Sequence, residues 1–157
     1  MFTISADGEG RQAPPFQSLA SGCIVGAMTS ESPSFPLQEF LGFTTVPGDG
    51  TGTASLDLDE RHHNPNAVAH GSVAFALMDT AMGVAAVSVI PDDHICATIE
   101  MHTRFHRAAT HGTLTAAAKV LTAGSRVIQL ECRTTDADGR LVASSTGSFA
   151  VLLPRPS

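Results

Sequence analysis

Positive charge is scarce in this chain. Of 157 residues, 9 are Lys or Arg against 15 Asp and Glu, and Lys119 is the only lysine. A net charge of −6 makes a poor counterion for a phosphate backbone, which excludes nucleic-acid binding as a leading function. No polybasic patch marks a membrane-surface protein either. Any anionic ligand must be held by a few locally placed arginines. Cysteine is also sparse: Cys23, Cys96 and Cys132 are odd in number, widely spaced and form no CxxC pair. They read as thiols of a reducing, cytoplasmic compartment, not as a disulfide frame or a zinc cage. No basic segment precedes an apolar run, since Arg11 is the first positive side chain, so no secretory signal is expected. Internal repeats and low-complexity blocks are missing too.

What is present is enough apolar material for one core, 43% of residues against 15% charged. Residues 1–35 carry clusters of Gly, Pro and Ser and read as an arm or cap, with a short helix expected around residues 18–28. Residues 36–157 read as the folded domain. Phe40–Val46 is expected as a strand, Gly48-Asp49-Gly50 as a turn, and Thr51–Leu58 as a second strand. Arg61–Ala69 is a polar loop, after which Ser72 is placed to cap a helix that Pro91 closes behind Ile90. Val73–Ile90 is apolar enough to raise the transmembrane question. Asp79 inside it, and the lack of basic anchors at its ends, favour a buried helix instead.

Four alternating segments follow: Thr98–Phe105, with Ile99, Met101, Thr103 and Phe105 on one side, then Thr113–Leu121, Val127–Thr134 and Leu141–Leu153. Ala123-Gly124-Ser125 and Asp138-Gly139 are hairpin signals, and short connections mean antiparallel pairing. The class is therefore α+β, an antiparallel sheet wrapped round one long helix. Half the helix packs on its own sheet, and a partner subunit is the natural cover for the other half.

Asp79 is the residue that asks for an explanation. A carboxylate on an apolar helix costs several kcal/mol unless paired or hydrogen-bonded, and no Lys or Arg lies between Arg61 and Arg104. It either faces a wet dimer seam or serves as a tuned group at a site. Gly71 and Ser72 open the same helix, where free N–H groups and the dipole can polarise a carbonyl and stabilise an oxyanion. Asn64 and His70 stand beside them; each also has an ordinary reading, as an Asn-Pro turn residue and as a core histidine. Gly71 and Asp79 are eight residues apart, roughly 12 Å along a helix. To act on one carbonyl they must come from two subunits whose helices run antiparallel.

The series Asn64-Pro65, His70-Gly71, Asp79 and Gly83, then Thr98-Ile99-Glu100-Met101, resembles the hotdog-fold acyl-CoA thioesterases. The branch it looks like is the phenylacetic-acid-degradation type, akin to 4-hydroxybenzoyl-CoA thioesterase. Asp138-Gly139-Arg140-Leu141-Val142-Ala143 and Thr146-Gly147 are similar to that family's closing hairpin, and the likeness spans about Phe40 to Leu153. The resemblance implies that Asp79 is the catalytic carboxylate, as nucleophile or as base for water. It implies Gly71 as oxyanion donor with His70 beside it, Asn64 as the residue orienting substrate or water, and Thr98 as the hydroxyl near the carboxylate. Two positions depart from the pattern, Ala67 and Ser72, where the family commonly has Gly.

A thiol with pKa near 8.5 leaves as thiolate without much acid help, so a carboxylate and a helix end suffice. No metal and no cofactor are called for, CoA being part of the substrate. His94, His102, His106 and His111 form no convincing ligand set. For the CoA phosphates, Arg107 and the turn residues Gly124, Ser125 and Arg126 are the expected contacts, and Phe75, Met78 and Met82 are candidate pocket residues. The expected assembly is a homodimer, or a dimer of dimers. The rival readings are a hotdog hydratase or dehydratase acting on β-hydroxyacyl thioesters, and a non-catalytic acyl-CoA binder.

Overall fold

The computed structural model describes residues 35–153. The expected arm, apart from Phe35, and its helix around residues 18–28 lie outside that range. The described chain runs α1 (Pro36–Leu41), β1 (Thr44–Gly48), β2 (Thr51–Leu58), a 3-10 turn (Glu60–His62), α2 (Gly71–Val87), β3 (Ile95–Phe105), β4 (Gly112–Ala123), β5 (Val127–Thr135) and β6 (Leu141–Leu152). The six strands form one antiparallel sheet in the order β1-β2-β4-β5-β6-β3. All six contact α2, so the sheet wraps the helix as the sequence implied.

The β3–β4 connection fits that strand order. β6 and β5 lie between those strands, so β3 and β4 stand three strand spacings apart, roughly 14 Å. Residues 106–111 cover this because an extended chain spans ~3.3–3.6 Å per residue. The helix comes close to the sheet through small residues. A Cβ on Gly52 of β2 would stand 2.5 Å from the Ala81 carbonyl oxygen, and one on Gly147 of β6 would stand 3.2 Å from Met82 Sδ. Leu77, Met78, Ala81, Met82 and Ala85 of α2 are fully buried with Leu56, Leu114, Ile128, Leu130 and Phe149 of the sheet. Each large side chain so buried contributes ~1.5–3 kcal/mol.

Local structure departs from the sequence reading in four places. The expected strand Phe40–Val46 is split: Pro36 sits in the first turn of α1, and Gly42 ends that helix at φ 78, donating its N–H to Gln38 O at 2.7 Å. A left-handed residue at this position stops a helix and turns the chain into the strand that follows. The cap of α2 is His70, not Ser72, with Nδ1 accepting the Ser72 N–H at 3.1 Å. The helix stops at Val87, short of Pro91. Ser88 Oγ donates to Ala85 O at 2.8 Å and accepts Gly50 N–H at 2.9 Å.

The fourth departure is in β3. Thr98 pairs with Phe149 and Glu100 with Ser148, so Ile99 is one residue too many. Such a bulge shifts the parity of the strand. Thr98, opposite inward-facing Phe149, therefore turns toward the helix, and Ile99 is 56% exposed. Simple alternation had put Ile99 on the side of Met101, Thr103 and Phe105.

Candidate active site

The loop before α2 is built by hydrogen bonds the sequence only hinted at. His62 is buried; its Nδ1 accepts Asp59 N–H at 3.0 Å, which leaves Nε2–H to donate to Leu41 O at 2.9 Å. His70 N–H donates to His62 O at 2.8 Å, so this ring and its carbonyl fix where α2 begins. His62, which the sequence reading left as a polar loop residue, is thus the satisfied core histidine, and His70 is exposed. A buried ring between two capping positions carries no periodic signal that would have marked it.

Asn64 takes its turn role. Its Oδ1 accepts Asn66 N–H at 2.8 Å, its N–H donates to Val68 O, and Ala67 N–H returns to Asn64 O. Ala67 holds φ 56, the only left-handed residue besides glycines among the described residues. That conformation costs an L-residue about 1–2 kcal/mol, a physical reason for glycine in the resembled family at this position.

At the start of α2, both Ser72 N–H and Ser72 Oγ approach His70 Nδ1, the hydroxyl at 2.7 Å. Since the amide must donate, Nδ1 is the acceptor and Nε2 carries the ring proton. Gly71 N–H has no partner among the described residues, as expected of a helix's first turn. The Phe105 ring lies over Gly71, 3.2 Å from where a Cβ would stand. His70, Gly71, Phe105, Arg107, Leu114 and Val142 line a cavity of about 350 Å³. One sequence-predicted phosphate contact, Arg107, is therefore at the mouth that Gly71 faces.

Asp79 stands elsewhere, two turns along on the outer side of α2, partly exposed. Thr98 Oγ1 donates to its Oδ1 at 2.7 Å, a bond that the β3 bulge makes reachable. Burial pushes the nearby Cys96 thiol up, and the charge on Asp79 adds to that shift. Cys132, in the core, is pushed up to about 12 by burial. Both are free thiols.

The structure thus brings together His70, Gly71 and Arg107 in one cluster, and Asp79 with Thr98 in another. It does not join these clusters within one subunit. Nor does it bring the Gly124–Arg126 turn to Arg107: Arg107 N–H bonds Val142 O, whereas Arg126 O accepts Val151 N–H. Nine residues along β6 is roughly 30 Å. Met78 and Met82 face the sheet and are fully buried, so of the candidate pocket residues only Phe75, 41% exposed, reaches the outer side. No group of three or more His, Cys, Asp or Glu is arranged for a metal ion among the described residues. No helix there is long and apolar enough to cross a membrane.

Comparison with known proteins places this architecture. Residues 66–143 match the family model described as the thioesterase superfamily. A protein of Saccharolobus solfataricus provisionally named an esterase is 32% identical over 103 residues, covering 66% of this chain and 73% of its own length. The chain belongs to the thioesterase superfamily. It is a thioester hydrolase by membership of that superfamily, with the hotdog arrangement of sheet and helix. The 1,4-dihydroxy-2-naphthoyl-CoA hydrolase of Listeria monocytogenes is 28% identical over 116 residues, covering 73% of this thioesterase-superfamily chain and 94% of its own. Among solved structures, a conserved protein of Pseudomonas aeruginosa superposes with a TM-score of 0.72 at 33% identity, covering 76% of this chain and 95% of that one.

Proposed function

We propose that this thioesterase hydrolyses an acyl- or aryl-CoA to the free acid and CoA at two equivalent sites shared across a homodimer. The observation that carries the reading is the separation of the two clusters. A carboxylate held by Thr98 and a free N–H at Gly71 are roughly 12 Å apart on one helix, yet the reaction needs both at one carbonyl. Two antiparallel copies of α2 bring Gly71 of one subunit to Asp79 of the other. The outer side of α2, which no described residue covers, and exposed Ile95 and Ile99 on the edge strand β3 support a second copy as their cover.

In this site Asp79 takes a proton from water, whose oxygen bonds to the thioester carbonyl carbon. The carbonyl oxygen gains charge against Gly71 N–H, with the positive end of the helix behind it. The C–S bond then breaks and the sulfur leaves as thiolate, with the proton returned to it or to solvent. Thr98 holds the carboxylate in register, and Asn64 and His70 shape the oxyanion side. Arg107 meets CoA phosphate, and the Gly124–Arg126 turn serves the CoA bound at the other site. Neither metal nor cofactor enters. The unpaired thiols Cys96 and Cys132 support a reducing, cytoplasmic setting, and the name of the Listeria relative supports CoA as the carrier.

Complementation tests the shared site. Gly71→Pro removes the N–H at a position where helices accept proline, and Asp79→Asn removes the base. Each variant alone is expected to release almost no thiol from acyl-CoA. Co-expressed, half of the dimers are hybrids with one intact site, restoring up to about a quarter of wild-type activity. No recovery in purified hybrids would place both groups in one subunit and end the proposal.

A further inference from the structure

Beside Asp79 lies a groove of about 480 Å³ between the outer side of α2 and the edges of β1 and β3. Its walls include Pro47, Gly83, Val84, Val87 and Cys96, and no charged residue lines it among the described residues. It begins next to the reacting group: Gly83 is one helical turn beyond Asp79 on the same side, and Cys96 is two residues before Thr98. Its volume is that of a small-molecule site.

Gly83 is an odd residue to find there. A glycine inside a helix is unfavourable relative to alanine, because its backbone has more freedom to lose. The strand glycines Gly52 and Gly147 are required by close approach, because a Cβ there would collide or crowd. At Gly83, in the helix, nothing comparable stands in the way among the described residues. The nearest atom to an added Cβ is Phe149 Cε1 at 3.8 Å, an ordinary contact, and the backbone is right-handed helix. No described residue of the subunit asks for glycine at this place; what it provides is the gap in the groove wall. The Gly83 carbonyl faces Cys96, whose Sγ lies 3.8 Å away, so the two residues mark one cross-section of the groove.

We infer that the groove takes the acyl part of the thioester, that this part is uncharged and apolar, and that Gly83 opposite Cys96 sets its length. The inference rests on the acyl-CoA reading above and deepens it. A carboxylate-bearing acyl chain would lose its water against Val84, Val87 and Pro47, with no cation among the described lining residues to meet it.

The test is kcat/KM over straight-chain acyl-CoAs from acetyl to decanoyl, with succinyl-CoA as the charged analogue of butyryl-CoA. Wild type is expected to prefer butyryl- over succinyl-CoA by at least tenfold. In Gly83→Ala the longest accepted chains should fall about tenfold more than the shortest, the scale of one added methyl in an apolar pocket. Cys96→Ala should move the optimum toward longer chains. An unshifted length profile, an equal fall on every chain, or an equal fall accompanied by a weakened dimer in sedimentation would each overturn the inference. If wild type releases thiol from none of these esters or from aryl-CoAs, the acyl-CoA reading itself has failed.

Discussion

The two sides of α2 obey different rules although they share one backbone and nearly one composition. On the inner side every position is occupied by an apolar residue sized to its neighbour, and the sheet supplies glycine where the helix backbone needs room, at Gly52 and Gly147. The outer side has comparable apolar residues, Phe75, Val84 and Val87, but also a carboxylate and a glycine that packing does not require. The inner side is explained by the stability of one subunit. On the outer side, the residues that are poor choices for stability are the ones with a chemical use. That contrast is what functional surfaces show when stability alone does not choose the residue.

The comparison can be broken by substitution. The largest effect is expected at Asp79: Asp79→Asn should lower kcat by about 10²–10⁴, as loss of a general base does, while melting no earlier than wild type. A variant that keeps its turnover would return the outer side to mere packing. Next comes the pair of glycines. Gly52→Ala should destabilise by ~1–3 kcal/mol through overpacking, read as an earlier denaturant midpoint, because its Cβ would stand 2.5 Å from backbone oxygen. Gly83→Ala should hold its midpoint or gain up to ~1 kcal/mol of helix propensity. Equal destabilisation of both would erase the distinction. The smallest effect concerns the inner side again. Thr134 Oγ1 is buried without a hydrogen-bond partner among the described residues, so Thr134→Val should stabilise by about 1 kcal/mol and leave turnover unchanged.

Much of the architecture was legible because it is written in periodicity. Alternation in the segments that became β4, β5 and β6, together with hairpin signals at Gly124 and Gly139, leads to neighbouring antiparallel strands. An apolar helix interrupted by one acid leads to a wrapped core and to Asp79. The sequence was less informative where a single residue resets a pattern. Gly42 turns an expected strand into the end of a short helix, and Ser88 ends α2 well before the proline that was expected to close it. For the site, residue identity pointed to Gly71, Asp79 and Thr98 but not to their connections. That Thr98 bonds Asp79 depends on a bulge, and that Arg107 and Arg126 lie at opposite ends of β6 depends on strand register. Met78 and Met82 looked like pocket residues because a helix apolar all round does not reveal which side meets the sheet. His62 went unremarked since its value lies in two hydrogen bonds to backbone, one to Asp59 three residues back and one to distant Leu41.

The surplus residue in β3 makes the acid dependent on counting. Remove Ile99 and the ladder regains strict alternation with Thr98 still opposite Phe149, so the hydroxyl stays with the acid. Keep Ile99 but seat it opposite Phe149, and Thr98 swings to the far surface while Asp79 loses its hydroxyl. A slip of one residue, with composition and both partners intact, would part them as surely as mutating either.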